Sequence, residues 1–323
     1  MKIIDRMHGL LNRLQSKAPA KPQMPKDESP PSITMQLKNW EKERRKRRVT
    51  RLLKSEMMDV RILIPMIIFQ PGKVGSTSVH MSLIKKYQEL GVATPVFHAH
   101  ILENIDQRIE LLKVIRAKPD NSIDKLLESK ELRQQIDKFP KRRWNVISLV
   151  RDPVALRVSA FFQLLDEYLP DWQPQIESGK ITLLDLQNLF YEKGGLGMDG
   201  LNTWFDAQIK PIWGIDVYNT PFSKDRGYHI YKQNPNVNLM IIRLEDLNTV
   251  AQDAFYEFLG IKDFTIIREN IGAKKPYSDL YKHFKTLPLP RDIVNEAYDS
   301  RYARHFYTDR EIEKFRRKWQ LEK

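Results

Sequence analysis

The stretch Ile62-Leu63-Ile64-Pro65-Met66-Ile67-Ile68-Phe69 is apolar at every position, and Gln70-Pro71-Gly72-Lys73-Val74-Gly75-Ser76-Thr77-Ser78 follows it directly. A strand whose two alternating faces are both apolar belongs in the middle of a parallel sheet, covered on both sides. Pro65 has no N–H for a ladder, so the regular strand is expected to begin after it. From Ser76 to Leu90 the apolar spacing turns helical, and Gly91 is placed to cap the helix end. A strand, a glycine-containing loop and a helix in that order put backbone N–H groups and the positive end of the helix at the edge of a sheet, where an anion can sit. Gly72 and Gly75 permit tight turns, Lys73 supplies a mobile positive charge, and Ser76, Thr77 and Ser78 flank Val74 with hydroxyl donors. The segment is expected to cradle a phosphate or sulfate; the plainer reading is a glycine-rich turn with a serine cap. It is not a Walker A loop, which sets four residues between its glycines and places Lys directly after the second.

The same alternation continues downstream. Thr94 to His98, Asn145 to Val150 and Val237 to Arg243 read as strands; Glu103 to Ile115, Val154 to Leu165 and Ala251 to Leu259 read as helices. Strands alternating with helices predict an α/β protein, three layers deep around a mostly parallel sheet. Residues 61–323 are expected to form one folded unit. Before it, residues 1–17 have the spacing of a small amphipathic helix, residues 18–37 hold a proline-rich stretch expected to be a linker, and residues 38–60 carry a basic helical segment.

Charge is uneven: residues 1–60 hold 15 Lys and Arg against 7 Asp and Glu, within a chain of net charge +13. The run Glu41 to Arg48 is read as a solvated helix face, as a contact with an anionic membrane surface or acidic glycan, or, last, as a nucleic-acid contact, which no zinc finger, RNP-like motif or helix-turn-helix supports. The absence of cysteine excludes disulfides, iron–sulfur clusters and a cysteine nucleophile. No apolar run reaches transmembrane length, and no signal-like segment or Asn-x-Ser/Thr sequon occurs. A cytoplasmic bacterial enzyme, peripheral at a membrane if residues 1–60 touch one, is the expectation.

Two further elements carry chemistry. In Val150-Arg151-Asp152-Pro153, Asp152 is a good N-cap and Pro153 a good first helical residue. Arg151, Ala155 and Ser159 then share one side, so a guanidinium and a hydroxyl separated by a small residue can hold a second phosphate; the bland reading pairs Arg151 with a carboxylate. Phe97-His98-Ala99-His100 ends the second strand. A third ligand at metal-binding spacing is missing, which leaves the pair as ordinary imidazoles or as a proton acceptor beside the anion loop.

Lys73 to Ser78 resembles the 5′-phosphosulfate loop of the sulfotransferase superfamily, whose donor is 3′-phosphoadenosine 5′-phosphosulfate (PAPS), and Arg151 with Ser159 resembles its 3′-phosphate motif. The His-x-His pair is similar to that of carbohydrate 2-O-sulfotransferases, which implies a general base at His100, with His98 the fallback. Asn202-Thr203-Trp204-Phe205-Asp206 resembles the Asn-Lys-Trp-Tyr-Glu motif of bacterial capsular polysaccharide synthesis proteins, with Thr203, Phe205 and Asp206 departing from it. The resemblance spans roughly residues 62–320. It implies a P-loop-like fold, a metal-free transfer from PAPS to a carbohydrate hydroxyl, donor contacts from Lys274 and Lys275, and acceptor contacts from Asn202 and Trp204. Two alternatives stand beside it: a non-catalytic glycan- or membrane-associated protein of the same fold, and a nucleotide-dependent phosphotransferase.

Overall fold

The computed structural model describes residues 31–51, 60–115, 122–193, 197–267 and 275–320. Five strands form one sheet in the order β2-β1-β3-β5-β4, with β1 Met66–Phe69, β2 Val96–Ala99, β3 Trp144–Val150, β4 Tyr228–Asn234 and β5 Val237–Arg243. All neighbours pair in parallel except β4, which runs antiparallel to β5 along one edge. The protein is therefore an α/β fold with a mostly parallel sheet flanked by helices. Every residue of β1 and β3 is buried, as their unbroken apolar runs require. β2 lies at the other edge and alternates: Phe97 and Ala99 are buried while Val96 and His98 are half-buried. The regular part of β1 does begin after Pro65, behind a short 3-10 turn at Val60–Leu63.

From β1 the chain crosses to β2 on one side, then returns to place β3 on the other. The loops after β1 and β3 thus leave in opposite directions and open a crevice between them, the usual ligand position in such sheets. β1 and β3 pair from Met66 opposite Asn145 to Ile68 opposite Ile147, and beyond them the two loops meet where Arg151 Nη1 donates to the Lys73 carbonyl.

Helix Ser76–Glu89 buries Val79, Leu83 and Tyr87 along one stripe. Gly91, at φ 62°, closes it: its N–H reaches Gln88 O, and the Val92 N–H reaches Tyr87 O. Helix Pro153–Gln163 starts as its sequence predicts, Asp152 Oδ1 accepting from the N–H groups of Val154 at 3.0 Å and Ala155 at 3.3 Å. The same carboxylate also takes the hydroxyl of Tyr298 (2.7 Å) and the indole N–H of Trp319 (3.1 Å), which fastens helices Arg291–Tyr298 and Asp309–Gln320 to the sheet.

One boundary is corrected. A helix spans Ile33–Arg51, beginning inside the stretch 18–37 expected to be linker. Ile33, Leu37 and Trp40, at spacings of four and three, are buried, and the helix packs against Ser122–Lys138. Glu131 receives the first two N–H groups of the helix, at 3.1 Å from Ile33 and 2.7 Å from Thr34, and these bonds hold its carboxyl below the usual range. Proline upstream masked this apolar stripe. Residues 1–17, with their expected amphipathic helix, lie outside the described residues, as do 18–30 and 52–59. No helix among the described residues is long and apolar enough to cross a membrane.

Candidate functional site

The loop after β1 is shaped by two left-handed residues. Gly75, at φ 79° and ψ 15°, is the N-cap of the following helix, and a Cβ there would lie 2.6 Å from Leu244 Cδ1, so both conformation and space call for glycine. Lys73 also has positive φ, 70°, unusual for a side-chain-bearing residue. Gly72 differs from expectation: a Cβ would meet nothing within 4 Å, and the turn does not depend on it. Val74 is buried, anchoring the loop between its two flanking turns. No side chain caps helix Ser76–Glu89 and no acidic residue lies in its first turn, so its N-terminal field is uncancelled.

Three cations meet at this loop. Arg151 donates from Nη1 to the Lys73 carbonyl at 2.9 Å, tying the end of β3 to the loop after β1. Burial first, then Lys275 and Arg151, push the Lys73 ammonium down to about 8. No carboxylate contributes to that shift; like charges held together against their repulsion suit an anionic ligand. Lys275 reaches the loop from the segment before helix Ser278–Phe284, while Lys274 lies outside the described residues. Ser159 is half-buried, on the same helix side as buried Ala155, and takes no part in the bonds joining Arg151 to the loop.

The pairing of β1 with β2, Phe69 opposite Ala99, places Gln70 beside His100. The His100 Nδ1 lies 3.0 Å from the Gln70 carbonyl oxygen. A carbonyl only accepts, so Nδ1 carries the proton and Nε2 keeps its lone pair. His98 Nε2 lies 2.9 Å from Ser76 Oγ, linking the second strand to the first residue of the helix. His98 is sandwiched by His80 (5.2 Å, stacked) and His100 (4.9 Å, edge-on). Burial, then the charges of His100, His80 and Lys125, drive its imidazolium down to about 3. His100, although part of its surface is exposed, also moves down, through desolvation of its ring among neighbouring side chains and the cations Lys125 and Lys73, opposed by its bond to Gln70. Both rings are neutral at pH 7, as a proton acceptor must be. Among the described residues no group of three His, Asp or Glu side chains is arranged to hold a metal.

Helix Met198–Gln208 touches the end of β1 and the loop after β2 directly and reaches the end of β3 through Tyr302. Asn202 Oδ1 accepts the Tyr302 N–H at 3.0 Å, and the Tyr302 hydroxyl bridges the Arg151 N–H (2.9 Å) and carbonyl (3.1 Å). Trp204 packs on Phe69, the last residue of β1, with centroids 5.0 Å apart. Gln208 Oε1 accepts the N–H groups of Leu102 and Glu103, at 2.9 and 3.1 Å, just beyond His100. Asn202 thus acts on Arg151 through Tyr302, and half-buried Trp204 packs on Phe69 and Phe205. Sequence reasoning missed Gln70, His80, Lys125 and Gln208. Only His80 had a local signal, one helical turn beyond Ser76.

Fold and site together define an α/β protein with a cationic β–α loop and two neutral histidines at the carboxyl edge of its sheet. A family described as "Putative capsular polysaccharide synthesis protein" matches residues 180–308, which include helix Met198–Gln208, β4 and β5. The match is compatible with a carbohydrate-modifying role. The loop after β1, the histidine pair and Arg151 precede it. No curated protein and no solved structure matches the chain significantly.

Proposed function

We propose that the protein is a sulfotransferase that moves a sulfuryl group from PAPS to a hydroxyl of a carbohydrate. The observation that carries this reading is the convergence of Lys73, Arg151 and Lys275 on one loop, with a neutral imidazole one strand away. The donor supplies an activated sulfuryl group on a phosphosulfate anhydride. The N–H groups at the start of helix Ser76–Glu89, with Ser76, Thr77 and Ser78, hold its 5′ end; Arg151 is the guanidinium for the 3′-phosphate, with Ser159 and Lys275 completing that side of the donor site. Nε2 of His100 takes the acceptor hydroxyl proton as that oxygen forms its bond to sulfur and the bond from sulfur to the phosphate oxygen breaks. The proton remains on His100, whose Nδ1–H stays on the Gln70 carbonyl throughout, and the Lys73 ammonium meets the charge left on the phosphate oxygen. Half-buried Trp204 is the aromatic side chain assigned in this reading to the acceptor sugar. The capsular family match supports the carbohydrate acceptor.

Calorimetric titration with 3′-phosphoadenosine 5′-phosphate tests the reading, with ADP and Mg-ATP as controls. Binding that requires the 3′-phosphate and no metal is the expected result. Preference for Mg-ATP, or no binding at all, refutes it.

A further inference from the structure

Gln70 is fully buried, yet it lies at the meeting point of the anion loop and both histidines. Its side-chain amide places one end 3.0 Å from His98 Nε2 and 3.2 Å from His100 Nδ1; the other end is buried without a partner. The end against the rings is placed as nitrogen. An amide nitrogen there would face the His100 Nδ1–H, donor against donor, because that proton already points to the Gln70 carbonyl. The opposite tautomer of His100 would set its Nδ1 lone pair against the carbonyl oxygen at 3.0 Å, acceptor against acceptor. Amide oxygen and nitrogen have the same shape, so hydrogen-bond chemistry selects the orientation. As oxygen the far end has no donor to accept from, so nothing there favours that orientation and the ring side decides. With oxygen toward the rings, His98 Nε2–H is shared between Gln70 Oε1 and Ser76 Oγ, and His100 Nδ1–H between the Gln70 carbonyl and Oε1. Ser76 Oγ then accepts from His98 and keeps its own proton for a ligand in the loop.

We propose that Gln70 is a positioning residue that joins the anion loop to the base: its carbonyl and amide oxygen fix His100 with Nε2 open and fix His98 as an Nε2–H donor to Ser76. His98 is then a neutral link in a chain running Ser76, His98, Gln70, His100, and the choice between the two histidines falls on His100, the more exposed of the two, whose Nε2 keeps its lone pair, while the remaining lone pair of His98 sits on Nδ1 of a half-buried ring held between His80 and His100. The other groups facing these rings are His80 from helix Ser76–Glu89, Lys125 from helix Ser122–Lys138 and Lys73 from the loop; none is an acid. The amide oxygen is thus the acceptor that substitutes for the carboxylate often found behind a catalytic imidazole, without the charge that would hold a proton on it.

The inference rests on His100 as the base of the proposed reaction, but its test does not need activity. Long-range ¹H–¹⁵N correlation on histidine-labelled protein, without ligand at pH 7.5, reads each ring's tautomer. His100 as Nδ1–H and His98 as Nε2–H are expected; His100 as Nε2–H or His98 as Nδ1–H overturns the proposal. Gln70→Glu puts a carboxylate between the rings, and the His100 titration followed in the same spectra is expected to rise by about one to three units. Gln70→Met keeps the bulk without an acceptor, and His98 is expected to lose its Nε2–H preference. An unmoved titration in the first variant, or an unmoved tautomer in the second, also overturns it. Failure of the sulfotransferase reading would appear separately, as lack of nucleotide binding by the unaltered protein.

Discussion

Lys73 offers a quantitative test of the anion site, because its ammonium titrates near pH 8 in the free protein. An anion seated in the loop offsets the repulsion from Lys275 and Arg151 and returns the group toward its ordinary value near 10.5. Binding must then take up protons wherever the free protein has lost them. With these two values, uptake is about 0.1 proton at pH 7, about 0.5 at pH 8 and about 0.9 at pH 9. Only the protonated form binds well, so the dissociation constant should rise about tenfold between pH 7 and 9, equivalent to about 1.4 kcal/mol. With a second pKa near 6, a phosphate monoester still holds about 0.1 proton at pH 7 but is dianionic at pH 8 and 9, so the count is read at the two higher values. The assay is calorimetry with 3′-phosphoadenosine 5′-phosphate in pairs of buffers differing in ionisation enthalpy; the dependence of the apparent enthalpy on the buffer gives the proton count. Lys73→Arg, which does not titrate here, should bind with no uptake at any of the three values. A proton count near zero at pH 8 and 9 with the unaltered protein, or the same count in Lys73→Arg, would show that the ammonium is not at the bound anion.

Other substitutions separate the roles of nearby groups. Arg151→Ala should weaken nucleotide binding and move the midpoint of the Lys73 proton linkage upward, since a like charge is removed; an unchanged midpoint would show that Arg151 does not act on Lys73. Gly75→Ala should cost about 1–3 kcal/mol in urea unfolding from its left-handed backbone and the approach to Leu244, and adding Leu244→Ala should recover only the steric part. Asp152→Ala removes a helix cap and leaves the Tyr298 hydroxyl and Trp319 indole without an acceptor, for a loss of about 3–5 kcal/mol by the same measurement. His98 and His305 are held down to about 3 and about 4, so between pH 6.5 and about 4 the unfolded chain binds more protons than the folded one. Stability should fall on acidification through that window, these two rings contributing about two protons to the slope and the lowered His80, His100 and His229 adding to it, read from denaturant midpoints; a flat profile refutes the burial of these rings.

What could be read from the sequence was what is local. The strand before Gln70, the loop and the helix from Ser76 follow one another in the chain, so apolar period and turn chemistry locate this β–loop–α unit within a few residues. Asp152 and Pro153 announce their helix in the same way. The chain of four side chains from Ser76 to His100 was hidden, because it exists only where Phe69 is paired opposite Ala99; slipping that register by one residue would take Gln70 away from His100. β4 was missed as well: its exposed edge carries Lys232, Gln233 and Asn234 in place of a continuous apolar run.

Helix Met198–Gln208 shows how local and tertiary information divide. Its Asn and Trp stood out as a motif and suggested direct contact with an acceptor. In the fold Asn202 is engaged by Tyr302, which holds both the N–H and the carbonyl of Arg151, while Gln208 holds the backbone just beyond His100. One helix therefore fixes the distance between the cation at the end of β3 and the imidazole at the end of β2, with Trp204 seated on Phe69 between them. For a transfer that depends on placing two substrates in line, that spacing is itself a catalytic requirement. The residues of such a helix are constrained by the geometry of the site even where they touch no ligand, which is why a motif could be visible in the sequence while its role was not.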